Sequence, residues 1–281
     1  MKAIVLAIVS ALLLGLSDFS AARGARHTSA ITVTRTSVLT STILAPLLLI
    51  VVPSSFSQRD SLLAAGSGLF MILGLMLLYT GYSIARMGVV APLSSVLLAA
   101  VPVVWDVLGG STPAAVSAAG MGLGAVALFL ASYTPGGAGS ATMGVVLGIT
   151  SGISFGIAYV FMSGVSADVG VSSVLLQRAA GLILLFAVWA ARSDPLFAPR
   201  GEARWYSIGA GVPGLIAIAA LQVAFQSVQD SSAGPVSVAS SQFGSVAVLL
   251  SVVFNGERMR WWQSIGVGTT AIAVALIALG G

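Results

Sequence analysis

Read for the alternation of apolar and polar positions, the chain divides into long apolar runs separated by short polar breaks. Runs of roughly 17–25 residues, enough for a helix to cross a bilayer, lie at 3–21, 31–52, 62–83, 89–108 and 113–133. A second set follows at 143–164, 172–191, 206–228, 235–254 and 261–279. The breaks carry loop chemistry, as in PSSFSQRDS (53–61), TPGGAGSA (134–141) and RSDPLFAPRGEAR (192–204). Lys2 followed by an apolar run has the outline of a signal peptide, but the run is long and lacks a small-residue cleavage site, so it reads as the first helix. The pattern predicts an all-α integral membrane protein of about ten transmembrane helices.

The pattern also repeats. An ungapped shift of 146 residues lays Gly88-Val-Val-Ala-Pro-Leu-Ser-Ser95 on Gly234-Pro-Val-Ser-Val-Ala-Ser-Ser241, and carries Gly110, Gly120 and Gly122 onto Gly256, Gly266 and Gly268. Nearby shifts pair Gly15 with Gly156 and Arg35 with Arg178. Two five-helix units, 1–136 and 137–281, follow from this register. Five crossings reverse the side on which the second unit starts, so the expected fold is a pair of inverted repeats, an architecture of many secondary transporters with the site between the halves.

Composition agrees. The chain is 57% hydrophobic and 7% charged, with a mean hydropathy of +1.05, whereas a soluble domain is about a quarter charged. The net charge of +4 comes from arginines near the ends of apolar runs, a membrane pattern and not a nucleic-acid patch. With no cysteine there are no disulfides or thiolate metal sites. One histidine (His27), one lysine (Lys2), no HExxH and no phosphate-binding loop leave nothing for metal hydrolysis or ATP-driven transport. No cofactor is expected.

One knot stands out: Asn255-Gly-Glu-Arg-Met-Arg-Trp-Trp-Gln-Ser-Ile-Gly-Val-Gly268, before the last run. Trp261, Trp262, Arg258 and Arg260 suit the membrane–water interface, and Glu257 suits the turn before a helix, facing its positive end. With a Gly-rich last helix, an Arg near the start of helices two and seven, and Ser/Pro-rich helices four and nine, this ending resembles that of the EamA-type drug/metabolite transporter superfamily. The resemblance covers essentially the whole chain. It departs at Gly109–Thr112, where the family often repeats the Glu. It implies a central cavity flanked by helices three, four, eight and nine, an inner bacterial membrane, and both termini in the cytoplasm. That orientation would place Lys2 and Arg59 inside against Arg23, Arg26, Arg86, Arg192, Arg200, Arg204, Arg258 and Arg260 outside, the reverse of the positive-inside rule.

Polar side chains within apolar helices are costly and mark candidate sites. Asp18 is the carboxylate well inside a run; it fits pairing with an arginine or a protonatable coupling site. Arg35 and Arg178 fit either snorkelling to headgroups or a role in the cavity. Gln222, Gln226 and Gln229 share one face of helix eight. Tyr79 and Tyr82 lie on helix three with Met76, and Tyr159 on helix six. Ser94 and Ser95 occupy helix four, with Ser241 and Gln242 in helix nine. Each fits interhelical packing or a solute site. The i+4 glycines Gly144, Gly148, Gly152 and Gly156 read as a packing seam, and Pro92 and Pro102 as a place where helix four kinks. A secondary carrier of a small metabolite follows, for an amino acid or an amphipathic drug-like solute, with export as one direction. The alternative is an antiporter for a phosphorylated metabolite or nucleotide sugar, with Arg35 and Arg178 as anion clamps. A lipid-modifying enzyme would need an acid–base or metal cluster that the sequence lacks. The partners are a small solute, the bilayer and, if Asp18 couples, protons; a monomer fits.

Overall fold

The computed structural model of the chain describes residues 2–110, 114–132, 140–191, 194–228, 233–256 and 260–279. Glu257, Arg258 and Gln229 lie outside these residues. In hydrocarbon every backbone N–H and C=O must be satisfied within its own segment, and the apolar runs accordingly fold as helices. They are α1 (Lys2–Gly24), α2 (Ala30–Leu44), α3 (Leu48–Val51), α4 (Gln58–Ile84), α5 (Met87–Leu108) and α6 (Ala115–Ser132). The second half supplies α7 (Ser140–Ser163), α8 (Ser172–Ala190), α9 (Glu202–Gln226), α10 (Gly234–Ser240), α11 (Phe243–Asn255) and α12 (Trp261–Leu279). No strand occurs among the described residues. Among those residues eight segments are long and apolar enough to cross a membrane, against the ten expected. The fifth and tenth expected positions are taken by α6 and α12, helices of 18 and 19 residues.

Two expected spans are interrupted. The second passes from α2 through a 3-10 turn at Ala45–Leu47 into α3; Pro46 removes an N–H and crowds the preceding turn. The ninth breaks between α10 and α11 at Ser241–Gln242. There the Oγ atoms of Ser237, Ser240 and Ser241 donate to the carbonyls of Ala233, Ser237 and Val238 at 2.9–3.0 Å, back-bonding that bends helices. In the fourth span α5 continues through Pro92 and Pro102 without a break. Ser29 caps α2 by accepting the Thr32 N–H at 3.2 Å. Gly256, at φ +63°, ends α11 in the left-handed conformation that a side chain would disfavour.

The bundle is built from close seams. α1 lies along α9, α4 and α5 along α7, and α6 along α12. The glycine seam of α7 faces α5: a Cβ at Gly148 would meet Leu93 Cβ at 3.0 Å, and one at Gly152 would meet Leu97 Cβ at 2.8 Å. A second ladder, Ala3, Ala7, Ala11 and Gly15, is buried on α1, with Gly15 against Val246 of α11. The opposite face of α1 exposes Val5, Ile8, Leu12 and Leu16, as lipid contact requires. Between helices, hydroxyls find carbonyls: Ser17 Oγ donates to Ala210 O at 2.8 Å, Ser67 Oγ to Ala158 O at 2.9 Å, and Ser154 Oγ to Phe70 O at 2.9 Å.

Gly152→Leu therefore drives a side chain into α5 and should cost about 1–3 kcal/mol or more. A lower melting temperature in detergent is the measurement. Gly122→Ala, where an added Cβ meets nothing within 4 Å, should leave it unchanged.

Candidate functional site: a buried chamber

The seams leave a chamber at the middle of the bundle. α1 brings Ser17 and Asp18 to it, α2 brings Ser37 and Ser41, α4 brings Met71 and Tyr79, α7 brings Phe155 and Tyr159, and α8 brings Arg178. Gly211, Gly214 and Ile218 of α9, Leu98 of α5 and Phe243 of α11 complete the wall. Its free volume is about 40 Å³. A single water needs about 10–15 Å³ on this measure, so the chamber has room for a few waters.

Two ionisable groups face this space. Asp18 is 3% exposed; Tyr79 donates its hydroxyl to Oδ1 at 3.3 Å and Tyr82 to Oδ2 at 3.5 Å. Both bonds are long for O–H···O, and the tyrosine rings stack on each other at 6.2 Å. Arg178 is 5% exposed; its Nη2 donates to Gly214 O at 3.2 Å while its Nε has no partner. No ion pair within 4.0 Å joins Asp18 to Arg178. Tyr159 Oη lies 3.4 Å from Ser240 Oγ, and the ring packs edge-on against Phe225 at 5.5 Å. The wall is thus apolar with a few convergent polar groups, the usual make-up of a small-molecule site. No group of three or more His, Cys, Asp or Glu able to hold a metal occurs among the described residues.

Asp18, Tyr79, Tyr159 and Arg178 are therefore brought together, with Tyr82 beside them. The other candidates lie elsewhere. Arg35 is fully buried but turned from the chamber: Nε donates to Leu196 O at 2.8 Å and Nη2 to Pro195 O. It fixes the α8–α9 loop across the start of α2, with help from Thr36 Oγ1, which accepts the Ala198 N–H at 2.9 Å. Gln222 and Gln226 do not line the chamber either. Gln222 Nε2 reaches Met162 O at 3.4 Å, and Gln226 Nε2 donates to Ser166 O and Gly170 O at 3.1 and 2.9 Å. These amides tie α9 to the end of α7 and the α7–α8 loop. Ser94 pairs with Ser151 at 3.2 Å, and Ser95 lies in the α5–α11 seam against Gly244. Ser241 bonds back to Val238 O, and Gln242 Oε1 accepts from Ser245 at 3.4 Å. The polar lining comes from spans one, two, three, six and seven, while spans four and nine supply apolar wall. Ser37 and Ser41 were legible as an i+4 pair on helix two, and the sequence reading passed over them.

The fold and chamber define a multi-pass α-helical membrane protein with a polar site enclosed at the bundle centre. Residues 142–279 match the EamA-like transporter family, so this part of the chain carries an EamA-like domain, of the drug/metabolite transporter superfamily. That family implies a membrane transporter of this type. No curated protein matches the chain in sequence. A solved structure described only as the crystal structure of a protein is similar at 14% identity with a TM-score of 0.69, covering 99% of this chain and 97% of its own. That likeness concerns the fold alone.

Gln226→Leu should strand two loop carbonyls at a cost of about 1–3 kcal/mol. It should lower the melting temperature while leaving the KM of any residual transport within about twofold.

Proposed function

We propose that the protein is a secondary carrier for a small solute bearing a carboxylate together with an amine or an apolar part, bound in the central chamber. The observation that carries this reading is that Asp18 and Arg178 face one chamber without pairing. A buried guanidinium with a free N–H is held at a cost that an incoming carboxylate would offset through a charge-assisted bond. Tyr79, Tyr159 and Phe155 suit an apolar portion. Asp18 takes the amine of such a solute, or a proton when the solute is absent, and so couples transport to the proton gradient. The antiporter reading is weakened by the place of Arg35: with that guanidinium turned to loop carbonyls, one cation faces the chamber, and a diphosphate clamp needs more.

The carrier is built as two inverted repeats, 1–136 and 137–281, in the inner membrane of a bacterium. Pairwise equivalences support the repeats. Gly15 and Gly156 each end a ladder of small residues, with Asp18 and Tyr159 three positions on. Ser17 to Ala210 O joins α1 to α9, as Ser67 to Ala158 O joins α4 to α7.

Uptake into proteoliposomes tests the function, with amino acids and amphipathic amines as trial solutes. Arg178→Gln should raise KM about tenfold or more for carboxylate solutes, since a bond to a charged group contributes about 1.5–3 kcal/mol, with little change for their esters. Equal loss for acid and ester would remove Arg178 from recognition. Asp18→Asn keeps the shape and removes the titration. It should abolish accumulation driven by a pH gradient yet retain solute exchange; unchanged accumulation would leave Asp18 a structural residue.

A further inference from the structure

The charges at the two ends of the bundle are unequal, and the fold shows how they gather. At one end Arg23 joins three elements: its guanidinium donates to Phe254 O at 3.1 Å and Tyr206 Oη at 3.2 Å, and lies over the rings of Phe19 and Tyr206. His27 meets Glu202 there at 3.0 Å, and Arg204 Nε donates to Ala198 O at 3.0 Å. The loops after α1, before and after the start of α9, and after α11 therefore form one surface. Arg26, Arg86, Arg200 and Arg260 are exposed on it. Arg192 and Arg258 lie in the same loops by sequence, outside the described residues, so eight of the chain's twelve Lys and Arg belong to this end. Trp189, Trp205 and Trp261 stand beside them, partly or fully exposed. The opposite end carries Lys2 and Arg59. Arg59 is held there by Asp60 Oδ1 at 3.4 Å and Gly164 O at 3.2 Å, and Asp106 and Asp168 share that end.

We infer that the arginine-rich end is the cytoplasmic face, seated on the anionic headgroups of the inner leaflet, so that the loops carrying Arg59 and Asp168 face outward. Arginine and lysine in short loops set orientation, and acidic residues contribute little. The bias here is eight to two. Each exposed basic residue near an anionic surface contributes attraction that acts within a Debye length, and the tryptophans fix the depth. This is opposite to the orientation that the family resemblance implies. It also places the loop held by Arg35 on the cytoplasmic side, and the loops tied by Asp60 and Gln226 on the outer side. The inference does not depend on which solute is carried.

The absence of cysteine makes single-cysteine labelling clean. Phe56→Cys and Pro199→Cys place thiols on exposed loop positions at opposite ends. A membrane-impermeant maleimide should label the Phe56→Cys variant in intact cells and the Pro199→Cys variant only after permeabilisation. The reverse pattern, or equal labelling of both in intact cells, overturns the orientation. In a second variant Arg26, Arg86 and Arg200 become Ser and Gln58 becomes Lys, in each single-cysteine background. Labelling of Pro199→Cys in intact cells should then rise severalfold; an unchanged pattern overturns the arginines as the determinant. Both readouts are independent of transport.

Discussion

Two groups able to carry opposite charge, buried in one chamber and kept apart, set the terms for the rest of the structure. A charge taken from water into a helix bundle is expensive, and pairing is the usual remedy. Asp18 instead accepts long bonds from Tyr79 and Tyr82, while Arg178 is steadied by the carbonyl of Gly214 and keeps Nε unpartnered. A direct pair would satisfy both groups and leave the chamber with nothing to offer a polar solute. Holding them on α1 and α8 leaves both facing the chamber, which is the condition for a third molecule to be bound by both.

That separation depends on how closely the helices approach. In lipid the hydrophobic effect does not drive helices together, and contact comes from small residues and interhelical hydrogen bonds. The α7 glycines let α5 settle against them, and the alanines of α1 with Gly15 form the matching face. The serine-to-carbonyl bonds fix α1 against α9 and α4 against α7. Asp18 and Tyr159 follow their ladders by the same three residues, so the register that packs the seams also delivers both side chains to the chamber.

The helices were legible because apolar length and a missing water phase leave the backbone one solution. Asp18, Tyr79, Tyr159 and Arg178 were legible for a related reason, being polar groups set within apolar runs. Direction was not legible. Arg35 and Arg178 hold the same position near the start of a helix, and each keeps one unpartnered guanidinium nitrogen, yet one is turned to loop carbonyls and the other to the chamber. The difference lies in the loops that cross those starts. Carbonyls of Pro195 and Leu196 descend on Arg35, whereas at α8 the crossing loop is met by hydroxyls and amides: Ser172 Oγ donates to Ser55 O, and Val171 N donates to Ser54 Oγ. Gln222 and Gln226 misled for the same reason, because their acceptors belong to the end of α7 and the α7–α8 loop, far along the chain.

The chamber's size then constrains how it can work. Sites for small molecules run to roughly 300–1,000 Å³, well above the 40 Å³ present, so a solute larger than a few waters enters only if helices move apart. At each end of the bundle one ionisable side chain ties a loop, with opposite sign at the two ends. Arg35 donates to two carbonyls at one end; at the other, Asp60 Oδ1 accepts the Ser166 N–H at 2.9 Å and its hydroxyl at 3.1 Å. Charge-assisted bonds of this kind are about twice as strong as neutral ones, so opening either end breaks ties of similar character. A carrier must populate both of its open forms, and a large difference between the two would leave one too rare to turn over. Matching a cationic tie at one mouth with an anionic tie at the other meets that condition without making the two ends alike in sequence.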